Sequence, residues 1–119
     1  MGLFAGVAAG IALNKLAKAV AQMHEMLLPL LVDYENGIDI SRRKDTIFTL
    51  AQMYRIEIGN RIEQFGWPTS TKITVVINNR MDRITLMEAH VMTFNVLIHL
   101  SAALDTKSRE TISNILAGE

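Results

Sequence analysis

Apolar side chains recur every three or four residues along most of this chain, which is the spacing of one buried face of an α-helix. The spacing predicts helices over about residues 3–35, 42–65, 80–104 and 107–117. On the first helix the apolar residues form a heptad seam: Leu13, Leu16, Val20, Met23, Leu27, Leu30 and Tyr34. The predicted fold is therefore all-α, a compact bundle of four to five helices with a long N-terminal helix, in one helical domain over residues 1–119.

The predicted third helix carries two apolar stripes, so we expect it to lie buried at the centre, flanked by the first two helices. Residues 71–77, just before it, are ambiguous. Their β-branched side chains favour a strand, whereas the spacing of Ile73, Val76 and Ile77 favours a helix. We predict a helix, with a short strand as the alternative. No other segment offers a strand mate, and a strand here would need a second chain to complete a sheet.

The first thirteen residues form an apolar tip without a charged side chain. Glycines recur in it at every fourth position, a spacing that lets two helix backbones approach closely. Its bulky residues lie on the side that carries charged residues further along the helix, so they expose apolar surface unless the fourth helix or the loop over residues 66–80 covers them. We predict that this tip contacts a partner through Gly2, Leu3, Phe4, Gly6, Val7, Gly10 and Ile11.

The length and charge of this apolar tip also indicate where the protein is located in the cell. Thirteen helical residues cover about 20 Å, less than the roughly 30 Å of a bilayer core. No basic stretch precedes the apolar run, which disfavours a cleaved secretory signal. We expect the protein in the cytoplasm or within an assembled particle, and shallow insertion of the tip into a membrane surface is the alternative.

Composition narrows the classes of function further. Twelve basic and twelve acidic residues give a net charge of zero, which disfavours nucleic acid as a partner. The absence of cysteine excludes thiolate metal sites and cysteine nucleophiles. With glycine counted and tyrosine left out, about 54% of the residues are apolar, above the usual range of about 45–50%, which indicates more apolar surface than one small monomer can bury. We therefore expect a protein partner, with a homo-oligomer as the simplest case.

Residues that suggest chemistry are sparse. On the third helix Glu88, Asn95 and His99 form a narrow polar strip. The strip is either the solvated edge of the helix or a set of residues for general acid–base catalysis. His90 lies between the apolar stripes and is expected to be a hydrogen-bonded core histidine. Because His90 and His99 point about 180° apart on a helix, one metal ion cannot take both. We predict no metal, no cofactor and no catalytic residue.

Two groups of cations are further candidates for polar contacts. Arg61 falls inside the apolar arc of the second helix, where Glu57, one turn earlier, is a possible ion-pair partner; alternatively Arg61 extends to solvent near the helix end. Arg42, Arg43 and Lys44 cluster at a helix start, where positive charge is mildly unfavourable. The cluster is either a contact for an acidic partner or a solvated turn.

These observations favour a non-enzymatic helical assembly or adaptor subunit that acts through protein–protein contacts. A phage or viral particle, a secretion machine or a regulatory complex would each suit it. The alternatives are a peripheral membrane protein that inserts its apolar N-terminal helix, and a small enzyme or DNA-binding regulator.

Overall fold

The computed structural model describes the backbone of residues 3–119 and the side chains of residues 6–119. The predictions for Gly2 and for the side chains of Leu3 and Phe4 lie outside these residues. Within them the chain forms four helices and one small antiparallel sheet of two strands. The fold is therefore mostly helical, and the prediction of a purely all-α fold is wrong.

Helix α1 covers Leu3–Glu35 and contains Pro29. The predicted seam is its buried face, where Leu16, Val20, Met23, Leu27 and Leu30 are almost fully enclosed. The helix ends at Glu35, directly before Asn36 and Gly37, in agreement with the predicted range of 3–35. Gly37 adopts a φ of +78°, and the Ile38 N–H donates to the Asp33 carbonyl at 2.9 Å, as in a Schellman motif.

Helix α2 covers residues 44–65 in three consecutive segments, and a 3₁₀ turn over Ser41–Arg43 leads into it. Lys44–Tyr54 is α-helical, Arg55–Gly59 is π-helical and Asn60–Phe65 is α-helical again. Its buried residues Ile47, Leu50, Ala51, Tyr54 and Ile58 pack into the same core as the seam of α1. Gly66, with a φ of +63°, ends the helix directly after the predicted range of 42–65.

Helix α3 covers residues 86–101 and repeats this architecture. Leu86–His90 and Val96–Ser101 are α-helical, and Val91–Asn95 between them is π-helical. In the π segment the buried Thr93 hydroxyl donates to the Ala89 carbonyl at 2.7 Å. Two neighbouring helices are thus interrupted by the same rare conformation, which occurs mostly as single turns and frequently near functional sites.

The segments before α3 form a β-hairpin. Strand β1 covers Lys72–Ile77 and strand β2 covers Arg80–Thr85, in antiparallel register with Ile73 opposite Ile84. The favoured helix over 71–77 is therefore wrong and its strand alternative is confirmed. The mate is residues 80–85 of the same chain, which we had assigned to the third helix, so no second chain is needed.

The two-residue turn between β1 and β2 explains why the chain forms a hairpin here. Asn78 and Asn79 both adopt positive φ, of 53° and 62°, which is the backbone of a two-residue type I′ turn. Asparagine tolerates this conformation better than other residues with a side chain. Helix α3 then begins at Leu86, where Thr85 and Glu88 form a capping box with both hydrogen bonds at 3.1 Å.

The burial of α3 also differs from the prediction. Leu86, Leu97 and Leu100 face the core, but Met87 and Val91 of the other stripe are half exposed. The molecule measures 50 × 34 × 20 Å, and its shortest dimension is about two helix diameters. In so thin a molecule no helix is covered on every side, so the second stripe remains at the surface.

The last helix, α4, covers Thr106–Ala117 and closes the core with Ile112 and Leu116. Asp105 is its N-cap, because its carboxylate accepts from the Ser108 N–H at 2.8 Å. That bond lowers the pKa of Asp105 below its ordinary value of 3.8.

Candidate functional site

The N-terminal arm, defined here as residues 6–11 of α1, contains no buried residue. Each of its residues is exposed except the half-buried Ala9, and the first buried residue of the helix is Ala12. Val7 and Ile11 each expose 51% of their surface. The helix therefore carries apolar side chains beyond the body of the molecule, and neither α4 nor the loop after α2 covers them.

The arm's glycines are unusual because nothing in the described chain requires them. A Cβ atom added at Gly6 or at Gly10 would meet no atom within 4 Å, and neither residue has a positive φ. Glycine in a helix interior is about 1 kcal/mol less favourable than alanine. The arm thus loses intrinsic helix stability at two positions without any packing gain inside the monomer.

Exposed apolar side chains also occur on the body of the molecule. The largest exposures are those of Met81, Ile56, Val76, Ile38, Met87, Val91 and Val32. On the body, however, each helix also buries one face in the core, so single exposed residues are ordinary. What distinguishes the arm is that none of its six residues is buried.

A second feature was not predicted from the sequence. A cavity of about 380 Å³ opens between α2, α3 and α4, and four of its twelve lining residues carry an aromatic ring. Tyr54 of α2 meets Phe94 of α3 edge to face at 5.5 Å, and the ring of His90 stacks on Phe94 at 4.5 Å. Trp67, in the loop after α2, completes the wall and stacks on Phe65 at 4.9 Å.

Both π-helical segments contribute to this cavity, through Arg55 and Gly59 of the first and Phe94 of the second. Gly59 is buried, and a Cβ atom added there would lie 3.3 Å from the Tyr54 ring. The lack of a side chain at Gly59 therefore leaves room for Tyr54 to lie against the backbone of its own helix.

Tyr54 supplies the cavity's most enclosed polar group. Only 5% of the residue is exposed, and its hydroxyl makes no hydrogen bond to any described residue. Since no fully enclosed side-chain oxygen or nitrogen lacks a partner within the described chain, the small accessible part of Tyr54 includes its hydroxyl. Burial raises the pKa of this phenol above its ordinary value of 10.0, so it stays protonated and able to donate near neutral pH.

An ion pair forms one side of the cavity. Arg55 donates from Nη1 and Nη2 to the two oxygens of Glu63 at 2.9 and 2.6 Å, and Nη1 also reaches the Leu116 carbonyl at 3.4 Å. The hydrogen bonds to Glu63 raise the pKa of Arg55 and lower that of Glu63. Because Glu63 accepts hydrogen bonds from both Nη1 and Nη2 of Arg55, this pair leaves no uncompensated charge in the cavity.

The predicted polar strip of the third helix does not assemble into a site. Glu88 completes the capping box with Thr85, while Asn95 is exposed. His99 lies edge to face with Tyr34 at 5.1 Å, away from the cavity. Glu88 and His99 are about 16 Å apart along the helix axis. His90 was expected to be a hydrogen-bonded core residue, and instead its half-buried ring lines the cavity.

The cation candidates divide into a paired residue and an exposed cluster. Arg61 donates to the Glu57 carboxylate at 2.6 Å and to its carbonyl at 2.7 Å, so the predicted partner within the chain is present. Arg42, Arg43 and Lys44 are exposed around the 3₁₀ turn, and Arg43 lies 4.0 Å from Asp33. A pair that long between exposed groups contributes little stability.

Among the described residues no group of three histidine, aspartate or glutamate side chains is arranged to hold a metal ion. No helix of this part of the chain is long and apolar enough to cross a membrane. Comparisons of the chain with protein-family models, with curated proteins and with solved structures give no match.

Proposed function

We propose that this protein is a helical assembly or adaptor subunit that acts through protein–protein contacts, and that its first partner is a second copy of the same chain. The supporting observation is the arm, which holds Val7 and Ile11 half exposed and has glycines that no packing in its own chain requires. An exposed apolar helix of this kind is typical of a protein interface.

A second arm is the partner that this geometry fits best. Gly6 and Gly10 leave a shallow groove four residues long, and each is followed by a β-branched residue with few rotamers, Val7 or Ile11. A helix that enters such a groove needs small residues at matching positions. The arm has them, so two copies present the same self-complementary surface, as a two-fold interface requires.

The proposal is tested with the double variant Gly6→Leu, Gly10→Leu. Bulky side chains at these positions prevent close approach of two helices, while leucine is a better helix former than glycine. We expect wild-type protein to sediment above its monomer mass of 13.3 kDa at low micromolar concentration, and the double variant to sediment at that mass. Circular dichroism should show full helicity in both proteins.

The matched control is Ala8→Leu. Ala8 is exposed and lies two residues from either glycine, hence about 160° away round the helix. It adds apolar surface without filling the groove, so association should persist. Wild-type protein that remains monomeric, or a double variant that associates like wild type, would contradict the proposal. Flotation of a monomeric protein with neutral lipid vesicles would favour the membrane-surface alternative instead.

A further inference from the structure

The aromatic cavity between α2, α3 and α4 is a separate feature from the arm, and it has the properties of a small-molecule site. Its volume of about 380 Å³ lies within the usual range of roughly 300–1,000 Å³ for ligand pockets. Its wall is mostly apolar and aromatic, with a few polar groups, which is the usual composition of such pockets.

We propose that this cavity binds an uncharged planar aromatic molecule of one or two rings, held by a hydrogen bond from the Tyr54 hydroxyl to an acceptor on the ligand. The wall contributes the rings of Tyr54, Trp67, His90 and Phe94 from three different segments of the chain. Aromatic rings stack or meet edge to face with a preference beyond that of simple apolar contact, so such a wall selects flat ligands.

The hydrogen bond follows from the state of Tyr54. Only 5% of the residue is exposed, and that accessible part includes the hydroxyl, which has no hydrogen-bond partner among the described residues. Because Tyr54 lines the cavity, we infer that this accessible donor is directed into it. A ligand carbonyl in the cavity would satisfy it.

The ion pair between Arg55 and Glu63 is the reason to expect an uncharged ligand. Both line the cavity, but each neutralises the other through two short hydrogen bonds. A carboxylate or an ammonium group entering the cavity would have to break this pair to find a counter-ion. An uncharged ligand avoids that loss.

Trp67 is the only tryptophan of the chain, so its indole N–H gives a single isolated cross-peak in a ¹H–¹⁵N NMR spectrum. The probes are benzamide and 1-naphthamide, which are neutral and planar and carry a carbonyl acceptor. We expect both to shift the Trp67 peak on titration. Cyclohexanecarboxamide has the same acceptor without a planar ring, and benzoate has the ring with a charge; both should bind at least several-fold more weakly.

Tyr54→Phe removes only the hydroxyl, and we expect it to weaken both aromatic amides by roughly five- to tenfold. Toluene, which has no acceptor, should bind wild type and this variant alike. The matched control is Tyr34→Phe at the only other tyrosine, which lies against His99 outside the cavity, and it should leave every affinity unchanged.

Three results would overturn the proposal: no shift of the Trp67 peak at millimolar aromatic amide, equal binding of the cyclohexyl probe or of benzoate, or equal amide affinities in wild type and Tyr54→Phe. Each is read in protein whose remaining cross-peaks are dispersed, so loss of folding is not mistaken for loss of binding. None of them bears on the arm, so this site and the proposed association are tested independently.

Discussion

Residues 6–11 and residues 16–30 belong to the same helix and both are rich in apolar side chains, yet their surroundings are opposite. In the second region Leu16, Val20 and Leu27 are fully enclosed by the other helices and the hairpin. In the first, Val7 and Ile11 remain half exposed. Most helical stability in proteins comes from packing of an amphipathic face, so the second region is explained by the monomer and the first is not.

We expect the largest loss of stability when a side chain of the buried region is truncated. Truncating a side chain of the arm should cause almost none. Leu27→Ala removes a fully enclosed side chain and should lower the free energy of unfolding by about 3 kcal/mol. Ile11→Ala should change the same quantity by less than about 0.5 kcal/mol, because it removes no internal contact. Urea denaturation measures both, at concentrations where the protein is monomeric. Equal losses would mean that the arm packs within its own chain.

The glycines give a second, smaller contrast. Gly118 adopts a φ of +82°, and a Cβ atom there would lie 2.8 Å from Arg55 Cζ, so Gly118→Ala should destabilise the fold by about 1 kcal/mol. Gly10→Ala meets open space in ordinary helical backbone, so it should strengthen the arm by up to about 1 kcal/mol. Thermal unfolding measures the first change and amide exchange over residues 6–11 the second. An unchanged or higher melting temperature of the Gly118 variant, or faster exchange in the Gly10 variant, would contradict this assignment.

The smallest expected effect is a pH dependence of stability that comes from Asp105, which lies in the body of the molecule and not in the arm. The pKa of Asp105 is lowered because its carboxylate accepts the Ser108 N–H. The unfolded chain then binds this proton more readily than the folded one, so the cap stabilises the fold above pH 3.8 and its contribution is lost as pH falls through the lowered pKa.

Asp105→Asn keeps a cap oxygen that does not titrate, so its melting temperature should fall less steeply than that of wild type below pH 3.8. Asp105→Ala should melt at a lower temperature at neutral pH. Parallel curves for wild type and the asparagine variant would show that this carboxylate does not contribute to acid sensitivity. Amide exchange in the arm should be the same in all three proteins apart from the ordinary effect of pH.

The long helices could be predicted from the sequence because burial on one face leaves a period in the apolar residues. The seam from Leu16 to Leu30 is an example, as is the end of α1 near Gly37. Strand β2 has no periodic pattern of apolar residues, since only Ile84 of its six residues is buried. The Asn78–Asn79 turn was visible in the sequence, but without alternating residues after it the hairpin was not inferred.

The cavity could not be predicted for a different reason. Tyr54 and Phe94 occupy apolar positions that are typical of a packed core, and periodicity does not report whether the space between two faces is filled. Trp67 joins them only because the loop after α2 folds back, with its Thr69 carbonyl accepting from the Met87 N–H at 3.1 Å. The arm was easier to recognise, since its uncharged sequence and glycine spacing are local.

The hairpin has a consequence for how copies of this chain meet. An unpaired strand edge is a template for adding strands from other molecules, the first step toward fibrils. In β2 the residues Arg80, Asp82 and Arg83 are all exposed, and charges on an edge oppose such growth. Strand addition at the β2 edge is thereby disfavoured, which limits one route to aggregation of this chain.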